Sequence, residues 1–245
     1  MYRYFLWLLI LVMGCSSGWQ GKEKRVAIDP SWFPLSIAGR ENHVTGFSTD
    51  LLKAIGRIEK MAITKMTVNW DTLVEGLQKH QYDAILSSMP PYIFNQKIFD
   101  FSDLYLATGP VLIVPMGSPN DSLKKMMKGR EVAVLPDTKG AILLEKYPGI
   151  LIRPYDSIPK ALNDVVSGAL DGAIVDMLFA LAYCNDLYHD QLKIVTPPLT
   201  NEGLRLIVLH KEESDLVKAF NRGLAKLKSS GEYDKLLAKW NLSNF

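Results

Sequence analysis

At 245 residues the chain is long enough for one large or two modest domains, and its 48% hydrophobic and 22% charged content lets it bury a core over most of its length. Lys and Arg number 28 against 26 Asp and Glu, leaving a formal charge of +2 with the basic residues dispersed. Such a balance argues against nucleic-acid binding, which needs cations clustered against phosphate.

The chain opens with one cation, Arg3, before an unbroken apolar run from Phe5 to Met13. The run is shorter than the roughly 20 residues a helix needs to span a bilayer. It does fit the apolar region of a secretory signal, so 1–14 are expected to be a signal peptide. Leu11-Val-Met-Gly-Cys15 resembles a bacterial lipobox, in which the Cys is acylated and becomes the mature N-terminus. Met13 is bulkier than the small residue usual before the Gly, so an ordinary cleaved signal and an uncleaved anchor stay open. All three export the chain. Residues 15–23 then form a lipidated tether that holds the protein at a membrane, in the periplasm or at the cell surface, without a transmembrane helix. With Cys15 acylated, Cys184 has no disulfide partner, and its apolar surroundings from Phe179 to Tyr183 predict a buried, inert thiol.

Beyond the tether, the elements follow in order. Lys24-Arg-Val-Ala-Ile28 is a short apolar strand stopped by Pro30. Asp50 to Ile55 is helical, with Ser48 as its expected N-cap. Trp70 opens a second helix with Leu73, Val74 and Leu77 on one face, and after His80-Gln81 the strand Tyr82 to Leu86 follows. Val111 to Val114 is a strand between Gly109-Pro110 and Pro115. Lys124 to Arg130 is a solvated basic helix end. Arg130-Glu-Val-Ala-Val-Leu-Pro136 then nearly repeats the first strand, and Ile158 to Val175 repeats the helix and strand of 70–86. Pro197 to Gly203 is a Pro-rich joint, leading to a strand at Leu204 to Leu209 and helices at Asp215 to Leu227 and Tyr233 to Trp240. Two copies of one plan in the same order predict two like α/β lobes with buried strands. Joints at 107–110 and 197–203 predict a chain that leaves the first lobe, builds the second and returns.

From about Lys24 to Leu242 the sequence resembles the extracellular solute-binding proteins of family 3, the polar amino-acid-binding components of ABC importers. The strings that carry the resemblance are Val26-Ala-Ile-Asp-Pro30 with Pro34, Gly46-Phe47 with Asp50-Leu51, and Trp70-Asp71 with Leu73. They continue with Asp83-Ala-Ile85, Phe99-Asp-Phe-Ser-Asp103 with Tyr105, Leu170-Asp-Gly-Ala173, and Gly231-Glu-Tyr-Asp-Lys-Leu236 with Lys239-Trp240. Their order and spacing matter more than any one of them. The resemblance implies a two-lobed, periplasmic-binding-protein-like fold of type II, each lobe a mixed sheet flanked by helices and joined by two hinge strands. Lobe 1 would comprise 24–108 and 200–245, and lobe 2 109–199. It further implies a monomer without a cofactor that delivers a small polar solute, most simply an amino acid, to an ABC permease.

Ligands of open α/β sheets bind beyond the carboxyl ends of strands, which here selects Asp29 and Trp32, Ser87 and Ser88, Asp137 and Thr138, and Asp176. The resemblance makes Trp32 and Trp70 aromatics flanking the ligand side chain, and Asp176 the carboxylate that pairs an α-ammonium. For both Trp the alternative is the core; for Asp176 it is a helix cap. Asp29 either lines the pocket or caps the next turn. Thr138, Ser87 and Ser88 would donate to a carboxylate, or bond their own backbone as Ser and Thr at loop starts often do. One departure stands out: where the family has a hydroxyl residue and a carboxylate-clamping Arg, this chain has Pro90 and Asn95. Pro lacks an N–H, and Asn lacks both the charge and the fork of Arg. Arg205 is the expected substitute cation because it interrupts an apolar strand, and Lys139 is the second choice. Otherwise the ligand is an amine, peptide or organic acid rather than an α-amino acid. A catalytic role is the weakest alternative: the four histidines have no metal-ligand or triad spacing. Only a dehydratase using Asp176 or Glu202 as acid or base would fit.

Overall fold

A computed structural model describes residues 23–37 and 39–243. The expected signal peptide, Cys15 and all but the last residue of the expected tether lie outside them.

The first half of the chain runs β1 (Lys24–Ile28), α1 (Glu41–Glu59), β2 (Ile63–Thr67), α2 (Trp70–Gln78), β3 (Ala84–Ser87), α3 (Ile93–Gln96), β4 (Phe99–Phe101), β5 (Leu106–Ala107) and β6 (Pro110–Pro115). It continues through α4 (Leu123–Met126), β7 (Glu131–Val134), α5 (Lys139–Leu144), β8 (Leu151–Pro154), α6 (Ile158–Val166), β9 (Gly172–Asp176) and α7 (Met177–Ala182). After a π-helical turn at Tyr183–Leu187 come β10 (Leu192–Ile194), β11 (Gly203–Leu209), α8 (Ser214–Ser229) and α9 (Glu232–Lys239).

The strands form two mixed sheets. One has the order β2-β1-β3-β11-β4, with β5 also paired to β11; the other has the order β10-β6-β9-β7-β8. In each, three parallel strands are followed by one antiparallel neighbour: β2-β1-β3 with β11, and β8-β7-β9 with β6. The repeat seen in the sequence holds at the level of register. Val26 lies opposite Ala84 in one sheet as Val132 lies opposite Gly172 in the other. An Asp caps each copy alike: Asp83 accepts the Arg25 N–H at 2.7 Å, and Asp171 accepts the Glu131 N–H at 2.9 Å. Each thereby satisfies a backbone donor at the start of its sheet's central parallel strand.

Two segments cross between the sheets. Thr108 and Gly109 lead from β5 to β6, and 195–202 lead from β10 back to β11. They lie side by side, Thr108 N–H donating to Glu202 O at 2.9 Å and Leu199 N–H to Pro110 O at 2.8 Å. Gly203 sits at φ 153°, where an added Cβ would run into the Leu106 carbonyl; only glycine fits this point of the crossing.

Helix α1 begins well before the expected cap. Ser48 is fully buried in mid-helix, its hydroxyl 3.0 Å from the Tyr105 hydroxyl. The local signal at Gly46-Phe47-Ser48 misleads because it serves tertiary packing: the Trp240 ring lies against Gly46 and leaves no room for a Cβ. Trp240 Nε1 and Lys239 Nζ both donate to Asp50, at 3.0 and 2.6 Å, tying α9 to α1. Burial opposes the Asp50 charge, but these two donors outweigh it and hold the carboxyl below its ordinary range. Glu59, gripped by Lys226 and Arg222 of α8, is lowered in the same way. A depressed carboxyl stabilises the fold above its unfolded pKa and loses that contribution as pH falls through the folded value. The melting temperature is therefore expected to fall as pH drops below about 4, the unfolded carboxylate range, and Asp50→Asn should flatten that fall. A pH series of thermal melts on both proteins would check this, and identical acid limbs would refute it.

Cys184 is buried, and that burial pushes its thiol up to about 12. Among the described residues no helix is long and apolar enough to cross a membrane.

Candidate functional site

The carboxyl ends of the parallel strands place the candidate residues in two groups. On the first sheet, Asp29 follows β1, Ser87 and Ser88 close β3, and Arg205 lies on β11 directly across from Ser87. On the second, Thr138 follows β7 and caps α5, while Asp176 ends β9. The duplicated register makes Ser88 the positional counterpart of Asp176, since Leu86 and Ile174 hold equivalent places opposite Leu206 and Leu112.

Thr138 and Asp176 line one pocket of about 130 Å³ together with Pro110, Leu135, Ile158 and Phe179. It is a small hollow with one acidic group and an aromatic wall. Larger hollows of about 520 and 540 Å³ lie beside β8 and beside the second crossing, and none of the candidate residues lines them.

The Asp176 side chain is open to solvent, yet protein crowds it on several sides. This loss of water, then the nearby Glu202 charge, raises its pKa, with Lys139 partly offsetting them. Glu202 behaves oppositely. Its burial is outweighed by hydrogen bonds from Lys139 and Thr200, and its carboxyl lies below the ordinary range. Lys139 Nζ is 2.8 Å from Glu202 Oε1.

Several candidates are engaged locally. Asp29 is buried and accepts both the Ser31 N–H, at 3.1 Å, and the Ser31 hydroxyl, at 2.5 Å, so it closes its own turn. Ser87 Oγ accepts the Met89 N–H at 3.1 Å. The Thr138 hydroxyl donates to Leu135 O at 2.7 Å and accepts from the Ala141 N–H at 3.2 Å, so its single proton is already used. Ser88 is half-buried, and its hydroxyl bonds none of the described residues.

The aromatics divide in a way the sequence does not show. Trp32, at φ 58°, turns its indole into the core, 3% exposed, where its N–H donates to Thr45 at 3.0 Å. Its neighbour Phe33 is left 56% exposed and meets Trp70 edge to face at 5.3 Å. The aromatic pair left outside the fully buried core is thus Phe33 and Trp70. The sequence alone does not single out Phe33, because the left-handed backbone at Trp32 sets which ring faces out.

Arg205 is half-buried and donates Nη1 to Ser102 O at 2.7 Å. Burial lowers its pKa and nearby Asp103 counteracts this; a guanidinium nonetheless keeps its charge. Asn95 turns its amide back onto Pro90 O at 2.8 Å and braces its own loop. The Pro90–Asn95 segment therefore supplies no cation.

Two duplicated α/β lobes, two crossings and polar groups at the carboxyl ends of both sheets define a cleft-type binding protein. The chain belongs to the bacterial extracellular solute-binding proteins, family 3, whose profile matches residues 25–243. It is 30% identical over 227 residues to a probable histidine-binding protein of Neisseria gonorrhoeae, covering 90% of this chain and 83% of that one. It is 27% identical to the arginine-binding extracellular protein ArtP of Bacillus subtilis, over 96% and 97% of the two chains. Among solved structures, the second substrate-binding domain of a putative amino acid ABC transporter from Streptococcus pneumoniae superposes with a TM-score of 0.68 at 26% identity, covering 89% of this chain and 99% of that one. The unliganded, open L-cystine receptor of N. gonorrhoeae superposes with a TM-score of 0.71 over 91% and 93% of the chains; at 21% identity it speaks for the fold alone.

Proposed function

We propose that this solute-binding protein is the receptor of an ABC importer. It takes a small polar amino acid between a lobe 1 of 24–108 and 200–245 and a lobe 2 of 109–199, and presents it to the permease. Acylated Cys15 would hold the monomeric receptor at the outer face of a membrane after removal of 1–14. The observation that carries the reading is an uncommitted carboxylate, Asp176, lining a pocket at the carboxyl end of one sheet, while the other sheet carries a half-buried guanidinium, Arg205, across from the carboxyl end of β3. Together they suit an ammonium and a carboxylate on one molecule. The relatives, a probable histidine-binding protein and an arginine-binding protein among them, support the same ligand class.

A second reading is favoured by Pro90 and Asn95. Without a cation in that loop, the alternative is a ligand that is not an α-amino acid, an amine, peptide or organic acid, of which an amine suits the Asp176 side of the cleft by itself. Thermal-shift screening of a soluble chain starting after Cys15 separates the two. Ligand at 100 times Kd should stabilise it by about 2.7 kcal/mol. A response to one or a few amino acids supports the first reading. A response to amines or peptides, with none of the twenty amino acids active, defeats it in favour of the second.

A further inference from the structure

Three charged groups meet where the first crossing enters the second sheet, and only one of them is uncommitted. Glu202, on the second crossing, packs over Gly109 of the first; an added Cβ on Gly109 would lie 3.2 Å from its carboxylate. The Gly109 carbonyl accepts the N–H of Met177 at 3.1 Å, and Pro110 is the strand partner of Asp176. Asp176 and Glu202 thus both flank the Gly109–Pro110 step. Lys139 opens α5 beside Thr138, which lines the Asp176 pocket, and its ammonium rests on Glu202 at 2.8 Å while the other Glu202 oxygen accepts the Thr200 hydroxyl. Asp176 forms no ion pair among the described residues.

We propose that Glu202 is a positioning residue: it parks the Lys139 ammonium away from Asp176 and so keeps the Asp176 carboxylate free for the cationic group of a ligand. Two carboxylates with one resident cation leave one negative charge, and the arrangement places that charge on Asp176. Without Glu202, the ammonium has Asp176 as its next partner, because Lys139 follows Thr138, which lines the same pocket as Asp176. A ligand would then have to displace a tethered cation, which acts at an effective concentration in the millimolar range. The inference rests on Asp176 being the ammonium-binding group.

The test is a double-mutant cycle read in two ways. In calorimetric titrations with L-histidine, L-arginine, L-glutamine and L-cystine, Glu202→Gln should weaken binding of the preferred amino acid roughly tenfold. Lys139→Met should bind it at least as tightly as the wild type. The double variant should return to within about threefold of wild type, since the competitor is gone. If the double variant stays as weak as Glu202→Gln, Glu202 contacts the ligand itself and the proposal is overturned; undiminished binding by Glu202→Gln overturns it as well.

The second reading needs no ligand: the Asp176 carboxyl is titrated by carbon-detected NMR in all four proteins. Removing Lys139 should raise the Asp176 pKa far more in the Glu202→Gln background than in the wild type, and equal shifts in both would disprove parking. Should none of the four amino acids bind the wild type, the ligand assignment fails and the NMR cycle alone still decides the role of Glu202.

Discussion

Asp176→Ala is expected to weaken amino-acid binding by about 2–5 kcal/mol, the cost of removing one partner from a charge-assisted pair that the bound ligand shields from water. Asp176→Asn should lose most of the same affinity while making the empty protein more stable. The sign follows from the raised pKa of this carboxyl, caused by lost water and by Glu202. A carboxyl whose folded pKa lies above its unfolded value costs the fold stability as pH rises from the unfolded value through the folded one, and the cost persists at neutral pH. An arriving ammonium relieves it; a neutral amide never incurs it. Above the folded pKa the wild type should melt below Asp176→Asn without ligand and above it with saturating ligand. Below the unfolded pKa the two empty proteins should converge. Calorimetry for affinity and melts from pH 3 to pH 8 for stability would check both halves. Unchanged affinity in Asp176→Ala would remove this residue from the site.

Arg205→Ala should cost a similar ~2–5 kcal/mol for a carboxylated ligand and little for its decarboxylated amine, because the loss falls on one end of the molecule. The side chain is held by its bond to the Ser102 carbonyl and stands across from Ser87 at the carboxyl end of β3. Arg205→Lys should recover only part of the loss, since an ammonium offers a point charge where the guanidinium offers a fork. The measurement is the ratio of affinities for an amino acid and the matching amine. A ratio that survives Arg205→Ala would place the carboxylate partner elsewhere, with Ser88 the next residue to examine because its hydroxyl is uncommitted.

The repeat was legible in the sequence for a physical reason. A buried parallel strand must be a short apolar run, and its helix must carry apolar residues at helical spacing. Both signals are local, and the chain shows them twice, at 24–28 with 70–86 and at 130–134 with 158–175. Strands on the margins, such as β2 with its mostly exposed side chains and the two-residue β5, lack that signal. Partners supplied by the sheets form them. The start of α1 was misplaced for a related reason: Gly46 and Ser48 look like an N-terminus, but one makes room for Trp240 and the other bonds Tyr105, both distant in sequence.

The sequence by itself determined the two-lobed α/β plan and the list of polar residues at strand ends, since pattern and composition encode these locally. Only the tertiary structure decided which of those residues are uncommitted. Asp29 and Thr138 spend their polar atoms on their own turns, Ser87 accepts from its own loop but keeps its hydroxyl proton, Trp32 goes to the core and leaves Phe33 outside, and Glu202 takes Lys139. Whether a hydroxyl, a carboxylate or a ring is available to a ligand depends on partners that no single stretch of sequence contains.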